Sequence, residues 1–60
     1  MKSTELIKEL LAAGCELKRH RGGSHQIWWS PITNKTFPVP HPKNDLPMGT
    51  LKSIKKMAGI

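Results

Sequence analysis

The first third of the chain has apolar positions at the spacing of an α-helix. Between residues 4 and 13 they recur three and four residues apart, and charged side chains fill the gaps. The apolar set is Leu6, Ile7, Leu10 and Leu11, and the charged set is Glu5, Lys8 and Glu9. This pattern predicts an amphipathic helix over 4–13. We expect Ser3 to cap its start, Glu5 to favour the positive end of its dipole, and Gly14 to end it in a left-handed conformation.

The next two segments have the period of two that is typical of β-strands. Residues 15–19 alternate apolar and charged side chains, which predicts a short half-buried strand. Two glycines at 22 and 23 interrupt it, and the β-favouring run 24–30 follows. Turn-prone residues at 31–34 close that run, so these two strands are predicted to form a hairpin.

A third strand is predicted at 37–42, where every second residue is a proline. Each residue before a proline is pushed towards an extended conformation. Pro38 and Pro40 lack N–H donors on one side of the strand, whereas Phe37 and Val39 can donate on the other. The segment is therefore predicted to be an edge strand, paired on one side only.

A second helix is predicted to begin between Pro47 and Thr50 and to end at Gly59. On a helical wheel, the apolar arc lies beside an arc of lysines. The apolar residues are Leu51, Ile54, Met57 and Ala58, and the lysines are Lys52, Lys55 and Lys56. The element order predicts one α+β domain over residues 1–60, α-β-β-β-α, with a three-stranded antiparallel sheet and both helices on one sheet face.

The net charge of the chain limits the kinds of partner that it can bind. Ten Lys and Arg against four Asp and Glu give a net charge of +6, which suits nucleic acid, an acidic membrane surface or an acidic protein. So short a chain buries only about 60% of its unfolded surface, so we expect a shallow site without a cofactor or a deep small-molecule pocket. No apolar run is long enough for a signal or membrane-spanning segment, and the lone Cys15 excludes an internal disulfide. A cytoplasmic protein is expected.

His25 follows the two glycines, where a loop backbone can approach a ligand closely. Imidazole has an ordinary pKa of about 6.5, so both its base and its acid form are accessible near neutral pH. RNA offers such a base the ribose 2′-hydroxyl, whose oxygen can attack the adjacent phosphorus, and DNA does not. The alternative is a partly buried strand histidine with a satisfied hydrogen bond.

The other two histidines, His20 and His41, raise the question of a metal site. No pair among the three has the helical spacing of a zinc motif, and no carboxylate lies close to any of them in sequence, so no metal is predicted.

Trp28 and Trp29 must point to opposite faces of a strand, with Trp29 on the side of His25. An exposed indole beside cations can stack on an unpaired base, or both rings can simply fill the core and its edge.

The chain resembles the HicA family, the toxin half of a bacterial and archaeal toxin–antitoxin pair, over nearly its full length. The resemblance rests on Ala13-Gly14 after the first helix, on 23–28 (Gly-Ser-His-Gln-Ile-Trp), and on 39–42 (Val-Pro-His-Pro) followed by 49–51 (Gly-Thr-Leu) and the closing 54–59 segment. It implies a fold like the double-stranded RNA-binding domain and metal-independent cleavage of messenger RNA that arrests translation. It also implies His25 as the catalytic residue and a cognate HicB antitoxin that covers it, through which the toxin can oligomerise.

The leading hypothesis is therefore an endoribonuclease in which His25 is the general base and nearby side chains bind RNA or stabilise the transition state. These candidates are Lys18, Arg19, Arg21, Ser24, Gln26, Trp28, Lys52, Lys55 and Lys56. The lysines of the second helix can instead be a solvated face. One competing hypothesis is a noncatalytic RNA-binding module that reads helix shape through phosphates and 2′-hydroxyls. Another is a small basic adaptor for an acidic protein.

Overall fold

The computed structural model describes all 60 residues and has the predicted α+β element order. The elements are helix α1 (Ser3–Ala12), strands β1 (Glu16–Arg21), β2 (His25–Ser30) and β3 (Lys35–Pro40), and helix α2 (Met48–Ala58). The strands form one antiparallel sheet in the order β1-β2-β3. This arrangement is consistent with the fold of the double-stranded RNA-binding domain.

Helix α1 ends as predicted but begins differently. Gly14 has a φ of +88°, and the Cys15 N–H donates to the Leu10 carbonyl at 2.9 Å, which closes the last turn. The predicted cap, Ser3, is instead the first helical residue and is buried, while Lys2 occupies the cap position. The prediction was wrong because the Ser3 hydroxyl bonds to the segment after β3 rather than to its own helix.

The prediction of a half-buried β1 was also wrong. All six of its residues are exposed, including Leu17 at 47%, and the pairing with β2 shifts register between Leu17 and Arg19. The physical reason is that α2 packs on β3 and β2, so no helix covers this edge of the sheet. Cys15, just before the strand, is the residue that enters the core.

The core lies between the two helices and one face of β2 and β3. Its nine buried members are Leu6, Leu10, Cys15, Trp28, Phe37, Val39, Leu46, Ile54 and Ala58. Both helices contribute to this single cluster, which confirms that they cover the same sheet face, and Leu51 and Met57 pack against it as the helical wheel predicted. The opposite face of the sheet is left open.

The C-terminal end of the second helix is held by hydrogen bonds to the end of β2 and to the turn between β2 and β3. The Ser30 hydroxyl donates to the Ala58 carbonyl at 2.6 Å, and the Thr33 hydroxyl donates to the Met57 carbonyl. Strand β3 pairs only with β2, as predicted, and it is the strand against which α2 makes most of its contacts. This contact creates the cleft described below.

Candidate active site and nucleic-acid interface

The strand register brings His25 and two arginines together on the open face. Residues that pair across adjacent antiparallel strands share a sheet face. His25 pairs with Arg21 on β1 and with Pro40 on β3, and the next row on that face contains Arg19 and Ile27. Arg21 therefore lies directly beside His25 on the open face, and Arg19 lies in the next residue pair along the strands on that face.

The imidazole of His25 is accessible. The residue is exposed, so the alternative of a buried strand histidine does not apply. Its Nδ1 lies 3.4 Å from the Ser24 hydroxyl, which is its one hydrogen-bond contact within the chain. The Nε2 atom of His25 has no hydrogen-bond partner within the chain, so it is free to contact a ligand.

On one side of His25 lies a cleft between β3 and α2, which we call the β3–α2 cleft. Its volume is about 370 Å³. Its lining residues are His25, Pro38, Pro40, Gly49, Thr50, Ser53, Ile54 and Met57. Apart from His25, none of them is ionisable. The cleft is therefore apolar or neutral, with two hydroxyl groups contributed by α2.

On the other side lies a shallow basic hollow of about 440 Å³, lined by Lys18, Arg19, Arg21, Ile27 and Thr36. Three of its five lining residues are cations. Neither Arg19 nor Arg21 takes part in any of the three ion pairs of the structure, so their charge is not neutralised by a close carboxylate. Lys18 is 3.2 Å from Glu16. The positive charge of Arg19 and Arg21 makes this hollow a surface that attracts anions beside the histidine.

The two tryptophans divide between the faces, as predicted, but the RNA-binding candidate was the wrong one. Trp28 is 3% exposed, and its Nε1–H donates to the Gln26 side-chain oxygen at 3.0 Å, so both side chains belong to the interior. Neither is available to RNA. Trp29 is half-buried on the open face, and the Lys18 ammonium lies 5.3 Å from its ring centroid. Trp29 is thus the aromatic residue that a base can reach.

The three lysines of α2 differ in their exposure and contacts. Lys55 is half-buried and contacts Glu9 of α1 at 3.3 Å, so it ties the helices together rather than facing a ligand. Lys52 and Lys56 are exposed. They follow the cleft residues Gly49 and Ser53 by three positions, which places them on the adjoining helix surface. Cations therefore lie on both sides of the β3–α2 cleft.

The other histidines serve elsewhere. His41 Nδ1 is 2.8 Å from the Ser3 hydroxyl, which also accepts the Lys43 N–H at 2.9 Å. His20 is exposed and pairs with Gln26, so it lies on the sheet face opposite to that of His25. No three His, Cys, Asp or Glu side chains come close enough together to hold a metal ion.

Comparison with known families identifies the family of the chain. The family model described as the HicA toxin of bacterial toxin–antitoxin systems matches residues 3–60. The chain belongs to the HicA toxin family. No curated protein matches it.

Membership of the HicA family makes this chain the toxin component of a toxin–antitoxin pair and implies a cognate antitoxin as its partner. The match covers nearly the whole chain, so the resemblance on which the sequence hypothesis rested is confirmed. Neither helix of the toxin is long and apolar enough to span a membrane.

Sequence reasoning did not find the cleft residues of this HicA toxin. The contributors that it missed are Pro38, Pro40, Thr50, Ser53 and Met57. A partial signal existed on the helical wheel of α2, because Gly49 and Ser53 lie between the lysine arc and the apolar arc, whereas Thr50 falls within the apolar arc beside Met57. Small polar residues between a core arc and a lysine arc indicate a surface that a ligand can approach.

Proposed function

We propose that this HicA toxin is a metal-independent endoribonuclease, an mRNA interferase, in which His25 is the general base. The observation that carries the proposal is the position of the imidazole, exposed between the basic hollow and an uncharged cleft. A polyanion drawn to the cations passes directly over the one side chain on this face that can accept a proton near neutral pH.

The reaction uses only the RNA and the side chains of this face. His25 Nε2 takes the proton of a ribose 2′-hydroxyl, the 2′-oxygen attacks the adjacent phosphorus, and the bond to the 5′-oxygen breaks. The leaving 5′-oxygen takes a proton from water, and the imidazolium returns its proton to solvent. The products are a 2′,3′-cyclic phosphate and a 5′-hydroxyl. No cofactor enters this balance.

Arg21 and Arg19 are the side chains best placed to help. Arg21 pairs with His25 across the sheet, so its guanidinium can bind the phosphate whose charge grows as the 2′-oxygen attacks. A positioned general base typically contributes about 10²- to 10⁴-fold to the rate, and cations at the developing charge add to that. Trp29 and Lys18 extend the surface along β2 and β1 for the neighbouring nucleotides.

This activity accounts for toxicity, because cleavage of messenger RNA stops translation and growth. It places the toxin in the cytoplasm with its substrate. It also gives the antitoxin a defined target, since a protein that covers the His25 face removes both the base and the cations from RNA. Assembly into larger complexes would then proceed through the antitoxin.

The deciding experiment compares His25→Ala with His20→Ala. Both remove an exposed strand imidazole, but the two side chains lie on opposite sheet faces, so His20→Ala is a matched control. Purified proteins are incubated with single-stranded RNA in the presence of a chelator. We expect wild type and His20→Ala to release 2′,3′-cyclic phosphate ends, detected by mass spectrometry, and His25→Ala to lose about 10²-fold or more of the rate.

Undiminished cleavage by folded His25→Ala would refute the role of this histidine. Inhibition of the wild type by the chelator would instead indicate a metal mechanism. If no variant cleaves RNA but all bind it with a steep salt dependence, the noncatalytic RNA-binding module becomes the better description.

A further inference from the structure

We infer that the β3–α2 cleft binds the base of the nucleotide whose 2′-hydroxyl is attacked, and that Thr50 and Ser53 recognise the edge of that base. This inference rests on the proposed function, because it takes RNA as the ligand of the His25 face. It assigns to α2 a part in choosing the cleavage site, in addition to its packing against β3.

The size and lining of the cleft suit a single unpaired base. A volume of about 370 Å³ lies at the small end of the range of ligand pockets, which fits one nucleoside and not a stacked pair. Pro38, Pro40 and Met57 supply apolar surface for the faces of a planar ring. Bases of single-stranded RNA are free to leave the stack and enter such a site, whereas bases in a duplex are not.

The hydroxyl groups of the cleft are free to bind a ligand. Elsewhere in the chain, the hydroxyls of Ser3, Ser30 and Thr33 hold elements together through hydrogen bonds. Those of Thr50 and Ser53 make no hydrogen bond within the chain. Each hydroxyl can donate and accept, so the pair can match the donors and acceptors on a base edge.

The distribution of charge decides which part of the RNA enters the cleft. A phosphate gains most beside Arg19 and Arg21 in the basic hollow, and it gains little in a cleft whose only ionisable lining residue is His25. When the scissile phosphate lies on the arginine side of His25, the ribose that supplies the 2′-hydroxyl lies over the imidazole. Its base, one bond from the ribose ring, then points towards the cleft.

The first test maps cleavage sites. A pool of RNA with randomised positions is cut by wild type, by the double variant Thr50→Val/Ser53→Ala, and by Thr4→Val, and the new ends are sequenced. Thr4→Val is the matched control, because it alters an exposed first-turn threonine of the other helix that also makes no hydrogen bond. Circular dichroism confirms that each variant is folded.

We expect wild type and Thr4→Val to show the same base preference immediately 5′ of the cut. In the double variant this preference should fall by about fivefold for each hydroxyl lost, because a neutral hydrogen bond typically contributes about that much. An unchanged preference in the double variant, or the absence of any preference in the wild type at this position, would overturn the inference while leaving the nuclease proposal intact.

The second test does not depend on cleavage. Each of the four nucleoside 3′-monophosphates is titrated into ¹⁵N-labelled His25→Ala protein, and amide shifts are followed by NMR. We expect the amides of Gly49, Thr50 and Ser53 to move with one base more than with the others, and Thr50→Val/Ser53→Ala to abolish the difference. Shifts confined to β1 and Trp29 would overturn the inference. Base-selective shifts without RNA cleavage by the wild type would overturn the proposed function and, with it, the assignment of this base to the attacked nucleotide, and would leave the cleft as a base-binding site only.

Discussion

Replacement of Gly59 by alanine tests how tightly the end of α2 is held against the rest of the HicA toxin. Gly59 has a φ of +80°, a conformation that costs an L-residue roughly 1–2 kcal/mol. A Cβ added there would lie 2.7 Å from the Ile32 Cγ2 atom and 3.0 Å from the Thr33 Cγ2 atom. Contacts this short force neighbours to move, which adds about 1–3 kcal/mol.

The two costs together predict that Gly59→Ala lowers the free energy of unfolding by about 2–5 kcal/mol. A domain of this size has a total stability of only about 3–9 kcal/mol. The loss should lower the melting temperature by about 8–40 °C, given about 4–8 °C per kcal/mol for small domains. The expected result is a toxin close to unfolding at physiological temperature.

Substitutions at two other glycines distinguish the cost of the positive φ from the cost of the close contacts. Gly22 has a φ of +59° but nothing within 4 Å of its added Cβ, and Gly23 has neither feature. In thermal and urea unfolding, Gly22→Ala should therefore lose only about 1–2 kcal/mol and Gly23→Ala almost nothing. Equal losses at Gly59 and Gly22 would refute the reasoning, since the contact with Ile32 would then be free to relax. Adding Ile32→Ala to Gly59→Ala should recover part of the loss, because Ile32 is itself exposed.

Two further predictions concern contacts that sequence reasoning did not foresee. Ser3→Ala removes a buried hydroxyl that bonds both His41 and the Lys43 N–H, and it should cost about 1–3 kcal/mol in urea unfolding, while the exposed Thr4→Ala costs far less. Equal stability of the two variants would mean that water replaces the hydroxyl. Trp29→Leu should weaken the binding of labelled single-stranded RNA by about 5- to 100-fold in fluorescence anisotropy, because it removes a stacking surface. Unchanged affinity would remove Trp29 from the RNA interface.

The elements of the fold could be read from local patterns. Both helices, the hairpin and the proline-rich edge strand follow from spacings and turn residues within about ten positions of one another, which is the range over which local geometry acts. The left-handed ends at Gly14 and Gly59 belong to the same class, because only glycine adopts that conformation at little cost. His25 is predicted as the catalytic residue from its position after two glycines and from the family resemblance.

The errors fall where an atom has a choice of distant partners. Ser3 has the side chain of a helix cap, but segments some 40 positions away in the chain offer it better hydrogen bonds. Leu17 alternates like a half-buried residue and pairs with the buried Trp28, yet α2 packs on β3 and β2 and leaves the β1 edge exposed. The strand period places Trp28 and Trp29 on opposite faces without indicating which face the helices cover, and that choice determines which indole is buried and which lies on the open face.

The candidate site shows most clearly the difference between features set by neighbouring residues and features set by distant contacts. The amino-acid order of this toxin is enough to predict a basic α+β domain, an edge strand rich in proline and an imidazole beside a glycine turn, because each is a property of neighbouring residues. The cleft is not, since its walls come from β3 and from α2, and its volume depends on how closely the helix packs against that strand. That distance results from packing in the whole core, so the place of Thr50 and Ser53 in the wall of the cleft becomes visible only once the chain is folded.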